Sequence, residues 1–206
     1  MTPRALTVAL VAALLLVLAT ACGDDDDAAS GSLAGYVREP TPVVSDLSLP
    51  DATNGGEPLS FRAQDGQLML VYFGYTSCPD VCPTTLSDVR TALADLGEDD
   101  AAAIDLAMAT VDPDRDVDEV IGGYVQSFVP DAHGLRTTDD TELRAAADAF
   151  GVEYSVDTND EGEVEVVHSG SLYVVDDQGR LVLTWPFGTP VDDLVNDLRI
   201  LMEARV

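Results

Sequence analysis

Uninterrupted apolar runs are the strongest pattern along the chain, and they predict the strands of a central sheet. Residues 68–73 are all apolar, and the run ends at Gly74. A run of this length and continuity is typical of a strand buried on both of its faces. A second, mostly apolar segment, residues 104–111, is interrupted by Asp105 and Thr110 and predicts another strand. We therefore expect a sheet whose centre lies inside the protein.

Between and after these runs, apolar residues recur at the spacing of amphipathic helices. Following Pro83, apolar side chains return at intervals of three, four and three residues, and the pattern stops near Gly97. Similar stripes predict three more helices, near residues 117–128, 141–150 and 191–202. Helices that alternate with buried strands favour an α/β architecture.

Near the C-terminus, two short apolar segments predict a hairpin. Residues 172–175 and 181–183 flank the sequence Asp-Asp-Gln-Gly, in which Gly179 is free to adopt a positive φ. The sequence thus predicts an α/β protein of thioredoxin-like fold: a central mixed sheet flanked by helices, with a C-terminal hairpin and helix. We expect this single domain to occupy residues 43–206.

The N-terminus has the features of an export signal. Arg4 precedes an apolar run, residues 5–21, that is too short for a comfortable membrane span. We predict a lipoprotein-type signal peptide at residues 1–21, because Cys22 follows small residues at a junction that resembles a bacterial lipobox. Cleavage before Cys22 would make this cysteine a lipid anchor; the alternative is an uncleaved N-terminal anchor. Both interpretations place the protein at the cell membrane, on its extracytoplasmic face.

Residues 22–42 are predicted to be an acidic, proline- and glycine-containing tether. Four consecutive aspartates, residues 24–27, are followed by small residues and then by Pro40 and Pro42, with no hydrophobic periodicity. Such a segment is typical of a solvated spacer between an anchor and a folded domain.

The composition excludes one large class of functions. The 206 residues include 38 Asp and Glu but only ten basic residues, all of them arginine, for a formal net charge of −28. Nucleic-acid binding is excluded, because it requires a basic surface. Since 46% of the residues are hydrophobic, the charge must cover the surface of a folded body.

Candidate chemistry is concentrated where the 68–73 strand meets the next helix. Cys78 and Cys82 lie four residues apart at the start of that helix, where the helix dipole favours thiolates. A structural disulfide is one alternative, but a bridge that closes so short a loop stabilises little. Two sulfur ligands favour Cu(I), and an added imidazole also accommodates Cu(II). Zinc is a further alternative for the same ligands.

Only two histidines could supply that imidazole. His133 lies in a turn-rich segment and is predicted to be exposed and not a ligand. His168 follows an apolar and acidic stretch and precedes the 172–175 strand. From the residues alone, His168 is either a structural histidine at a strand end or a metal ligand.

Three segments, in order, resemble the Sco/SenC family of copper proteins linked to cytochrome c oxidase assembly. They are Phe-Gly-Tyr-Thr-Ser-Cys-Pro-Asp-Val-Cys-Pro (73–83), Val-Asp-Pro-Asp-Arg-Asp (111–116) and Val-His-Ser (167–169), and the resemblance runs from about Leu47 to the C-terminus. The resemblance implies that Cys78, Cys82 and His168 bind copper as Cu(I) or Cu(II). Asp112 and Asp116 of the second segment either tune the site or contact a partner, or they form a turn and cap the following helix.

The resemblance leaves two functions open. In one, the protein is a membrane-tethered metallochaperone that passes copper to the copper-bearing subunit of the oxidase, and it is not an enzyme. In the other, it is a thiol-disulfide reductase that keeps the copper-site cysteines of that subunit reduced, with Cys78 and Cys82 as its catalytic redox pair. Peroxide reduction is a weaker third alternative, because no residue pattern beyond the fold supports it.

Overall fold

A computed structural model of the protein describes residues 31–204, which contain nine strands and five α-helices. The strands are β1 (Ser48–Asp51), β2 (Glu57–Ser60), β3 (Leu68–Gly74), β4 (Ile104–Thr110), β5 (His133–Leu135), β6 (Tyr154–Thr158), β7 (Val164–His168), β8 (Leu172–Val175) and β9 (Leu181–Trp185). The helices are α1 (Val81–Leu96), α2 (Glu98–Ala101), α3 (Asp118–Phe128), α4 (Asp140–Phe150) and α5 (Val191–Glu203); a short 3-10 helix, Ala52–Asn54, follows β1.

Seven of these strands form one mixed sheet in the order β2-β1-β5-β4-β3-β8-β9. The strands β3, β4 and β5 run parallel to one another, whereas β8 pairs antiparallel with both β3 and β9. The predicted α/β class, the central mixed sheet and the C-terminal hairpin and helix are therefore confirmed. Strands β6 and β7 form a separate two-stranded hairpin.

Strand β3 divides the hydrophobic core because its side chains alternate between the two faces of the sheet. Leu68, Leu70 and Tyr72 pack in one buried cluster with residues of α1 and α5. Met69 and Phe73 belong to the opposite cluster, which includes residues of α4. Every residue of β3 is buried, as the unbroken apolar run predicts.

Five strands, helix α2 and the short 3-10 helix were not predicted, and the five strands have weak sequence signals. Strands β1 and β2 each contain a proline, and β5 has only three residues. The β6–β7 hairpin is mostly exposed and acidic, so it lacks a continuous apolar face. Its strands are held by pairing with each other rather than by burial in the core.

The described part of the predicted tether, residues 31–42, contacts the folded domain. The backbone amides of Ala34 and Gly35 donate hydrogen bonds to the buried carboxylate of Asp197, each at 2.9 Å. The indole of Trp185 donates to the same carboxylate at 2.8 Å. Because these contacts are polar, they produce no hydrophobic periodicity in the sequence. The hydrophobic pattern therefore did not predict that this segment contacts the domain.

Residues 1–30 lie outside the described part of the chain. They contain the predicted signal peptide and the predicted lipid anchor, Cys22. Within residues 31–204, none of the helices combines the length and apolar character that crossing a membrane requires.

Candidate metal centre

The paired cysteines lie at the junction between β3 and α1, as predicted. A turn closes between the carbonyl of Tyr75 and the amide of Cys78, at 3.3 Å. Helix α1 begins at Val81, so Cys82 lies in its first turn, where backbone amides have no partner within the helix. One of these amides, that of Cys82, donates to the Cys78 sulfur at 3.3 Å.

The structure brings His168 to these two sulfurs across 86 residues of sequence. His168 ends β7, and its Nε2 lies 3.4 Å from the Sγ of Cys82. The Sγ atoms of Cys78 and Cys82 and one ring nitrogen of His168 all lie within 4.8 Å of one another. Throughout residues 31–204, this is the one group of three Cys, His, Asp or Glu side chains close enough to share a metal ion.

The hydrogen bond on the far side of the His168 ring favours ligation through Nε2. Nδ1 lies 3.1 Å from the carbonyl oxygen of Ser169, which can only accept a hydrogen bond. With the proton on Nδ1, the lone pair of Nε2 faces Cys82. A carbonyl that fixes the tautomer in this way is a common partner of metal-binding histidines.

Aromatic rings and a glycine confine the site. Tyr75 and Tyr72 both lie edge-on to His168, with ring centroids 5.7 Å and 6.2 Å from the imidazole. Gly74 leaves the space that the second sulfur occupies, because a Cβ atom at this position would lie 2.9 Å from the Sγ of Cys82. A larger residue at position 74 would displace the sulfur or its neighbours.

The two thiols differ in acidity. Burial raises the pKa of Cys78, but hydrogen bonds from the amide and thiol of Cys82 and from the Asp80 amide outweigh it, and the net pKa lies below the ordinary value. Burial raises the pKa of Cys82 to about 12. We expected the helix N-terminus to favour both thiolates, but complete burial of Cys82 reverses the effect for this residue.

Burial also lowers the pKa of His168, although hydrogen bonds to the backbone of Ser169 and Phe73 partly oppose this. The imidazole is therefore neutral at pH 7, which is the form that binds metals. Both cysteines are free thiols in the structure. Two sulfurs and one neutral nitrogen make a soft ligand set, and the same two sulfurs are close enough for thiol-disulfide chemistry.

The structure corrects the prediction for His133. This residue begins β5 instead of lying in an exposed loop, and its side chain is 27% exposed. Its Nδ1 lies 2.7 Å from the carboxylate of the buried Asp51. No local pattern predicts this pair, because the partners are 82 positions apart in sequence and β1 and β5 are too short to predict.

For the segment Val-Asp-Pro-Asp-Arg-Asp (111–116), the structure agrees with the predicted turn but not with the predicted helix cap. Asp112 forms the predicted turn, because its carbonyl accepts hydrogen bonds from the amides of Arg115 and Asp116. Asp116 does not cap α3: the capping residue is Val117, which makes no side-chain capping bond. Instead, the fully buried carboxylate of Asp116 binds Thr76 in the cysteine loop.

Comparisons with known proteins match most of the chain to one family. A model of the SCO1/SenC family matches residues 38–203. The SCO2-like protein RP587 of Rickettsia prowazekii is 36% identical over 127 residues, which cover 61% of this chain and 61% of that protein. The chain therefore spans less than two thirds of the length of that relative.

Two solved structures extend the similarity to the whole fold. The solution structure of apo Sco1 from Thermus thermophilus is 32% identical and matches with a TM-score of 0.72, covering 84% of this chain and 99% of that one. The structure of Bradyrhizobium japonicum ScoI with copper bound is 28% identical, with a TM-score of 0.63, and covers 74% of this chain and 95% of that one.

Proposed function

The chain belongs to the SCO1/SenC family, and from this membership we propose that it is a copper-binding metallochaperone assisting assembly of the copper centre of cytochrome c oxidase. The observation that carries the proposal is the convergence of Cys78, Cys82 and His168, whose ligand atoms lie within 4.8 Å of one another. We assign these three residues as the copper ligands. The copper-bearing subunit of the oxidase is the proposed recipient.

Copper suits this set better than zinc does. Two thiolates favour Cu(I), and the imidazole completes a set that also holds Cu(II). The site has no fourth protein ligand among the described residues, so zinc would need water to complete its tetrahedron. A three-ligand site that can bind both oxidation states suits a protein that must release its metal.

Anaerobic titration of the reduced domain with copper tests the proposal. We expect one equivalent to bind, and we expect Cu(II) to produce thiolate-to-copper charge-transfer absorption, because both sulfurs ligate the ion. Binding should release protons at pH 7, since burial keeps Cys82 a thiol in the metal-free protein. Absence of binding, or binding without charge transfer, would contradict the assignment.

A second function is favoured by the unequal acidity of the two thiols. As a thiol-disulfide reductase, the protein would use the Cys78 thiolate to attack a disulfide of the oxidase subunit, forming a mixed disulfide and releasing one thiolate of that subunit. Cys82 would then lose its proton and attack the Cys78 sulfur, releasing the second thiolate. Two electrons would pass to the subunit, and an external dithiol would have to reduce the resulting Cys78–Cys82 disulfide.

The N-terminal sequence supports attachment to the extracytoplasmic face of the membrane through Cys22. Cleavage before this residue and acylation of it would anchor the chain, since buried methylenes contribute about 0.8 kcal/mol each.

Replacing Cys22 with alanine should release the protein from the membrane fraction and prevent its acylation. The expected result follows because the lipid is the proposed anchor and would have no attachment point. Fractionation and labelling with a fatty acid measure both effects, with Cys82→Ser as the control that keeps Cys22. A Cys22→Ala protein that remains in the membrane would instead support an uncleaved N-terminal anchor.

A further inference from the structure

We propose that Asp116 is a positioning residue of the metal centre: its buried carboxylate fixes the loop that carries Cys78. The inference rests on the proposed function, because it concerns how the copper ligands are held. Asp116 lies in the loop between β4 and α3, outside the ligand set, and its side chain is completely buried.

Three hydrogen bonds satisfy this carboxylate. The amide of Thr76 donates to Oδ2 at 2.9 Å, and the hydroxyl of Thr76 donates to Oδ1 at 2.5 Å. The hydroxyl of Thr110 also donates to Oδ2, at 2.6 Å. Both oxygens therefore have partners, and two of the three donors belong to one residue of the cysteine loop.

Holding Thr76 fixes Cys78, because the two residues share a tight turn. The turn runs from Tyr75 to Cys78 and is closed by the bond between the Tyr75 carbonyl and the Cys78 amide. Thr76 is its second residue. Rotation of this turn would move the Cys78 sulfur away from the Cys82 amide, which donates to it at 3.3 Å.

The β4–α3 loop is itself rigidly attached to the sheet. Thr110 pairs with Gly74 in the β3–β4 register, and the Val111 amide donates to the Gly74 carbonyl at 2.9 Å. The Thr110 hydroxyl, which donates to Asp116, accepts from the amide of Asp112 at 3.0 Å. Asp116 thus connects a fixed point on the sheet to the loop that carries Cys78.

The side chain of Arg115 also supports the cysteine loop. Arg115 forms an ion pair with Asp112, and its guanidinium lies 5.8 Å from the ring centroid of Tyr75. Tyr75 in turn lies edge-on to His168. Residues 115 and 116 therefore support both the cysteine loop and the ring that packs on the third ligand.

Replacing Asp116 with asparagine tests this role, because the amide has nearly the same shape but one of its two polar atoms cannot accept. We expect the affinity for Cu(II) to fall about tenfold, the typical lower effect of removing an outer partner of a ligand. The charge-transfer spectrum should change as well, since it reports the geometry of the sulfur ligands. Thr76→Val, which keeps the amide and removes only the hydroxyl, should shift both in the same direction by less.

Asp197→Asn provides the matched control. Asp197 is equally buried and also accepts backbone hydrogen bonds, but its partners are Ala34, Gly35 and Trp185 rather than the cysteine loop. This variant should lower the melting temperature and leave copper affinity and spectrum unchanged.

The outcomes separate the inference from the proposed function. Wild-type affinity and spectrum in folded Asp116→Asn, or in Thr76→Val if the first variant does not fold, would overturn the positioning role while the proposed function stands. An equal loss in Asp197→Asn would also overturn it, because the effect would then be one of general stability. Failure of the unsubstituted protein to bind copper would overturn the proposed function and this inference with it.

Discussion

Replacing His168 with alanine should lower the affinity for Cu(II) by at least about a hundredfold, because loss of a ligand exceeds the effect of losing a partner of a ligand. Within residues 31–204, Nε2 of His168 is the only imidazole nitrogen close to the paired sulfurs. Without it, Cu(II) loses the borderline ligand that suits it, whereas Cu(I) keeps two thiolates. Titration followed by charge-transfer absorption measures the difference between the two oxidation states.

His133→Ala is the control for this experiment. His133 is the other histidine of the chain, and it binds Asp51 instead of the metal centre. Its loss should affect stability and leave copper binding intact. Equal Cu(II) affinity of wild type and His168→Ala would contradict the ligand assignment.

The same variant separates the two proposed functions. A reductase needs the sulfurs of Cys78 and Cys82 and can exchange thiols without the imidazole. A chaperone that carries Cu(II) needs all three residues. If His168→Ala retains thiol exchange but no longer supports oxidase assembly, the chaperone function is supported, and full assembly by this variant would favour the reductase.

The parts of the fold that were predicted from sequence are those governed by burial. The unbroken run of β3, the stripe on α1 and the turn of the β8–β9 hairpin each determine a local structure through their own hydrophobic pattern. The cysteine pair was placed correctly for the same reason, since a buried strand followed by an amphipathic helix fixes the junction between them.

The rest depends on contacts between distant residues that leave no local pattern. The role of His168 came from resemblance, because nothing in residues 164–168 indicates that this hairpin ends beside the cysteines. The contacts of the buried carboxylates of Asp51, Asp116 and Asp197 could not be predicted for the same reason. Each is stabilised by donors from other segments, and on sequence alone each is one of many acidic residues in a highly acidic chain.

Alkylation of the reduced, metal-free protein at pH 7 should modify Cys78 at least about a hundredfold faster than Cys82. The reacting form is the thiolate, and a thiol with a pKa of about 12 is ionised in only about one molecule in 10⁵ at this pH. The pKa of Cys78 lies below its ordinary value of 9.0, so its thiolate is at least about a thousandfold more abundant. The thiolate of the more acidic Cys78 is the weaker nucleophile, which lowers the ratio of the two alkylation rates. Complete burial of Cys82 slows its alkylation and raises that ratio again.

The dependence of the two alkylation rates on pH tests whether the different pKa values of the thiols cause the difference in rate. Because the pKa of Cys78 is lowered from 9.0, its rate should reach half of its maximum below pH 9, whereas that of Cys82 should continue to rise towards pH 12. Mass spectrometry after limited alkylation measures both rates in one sample, and a small free thiol is the reference for an ordinary pKa. Equal modification of the two residues, or faster modification of Cys82, would show that the helix N-terminus acts on both sulfurs alike. It would also remove the basis for Cys78 as the attacking thiolate of the reductase.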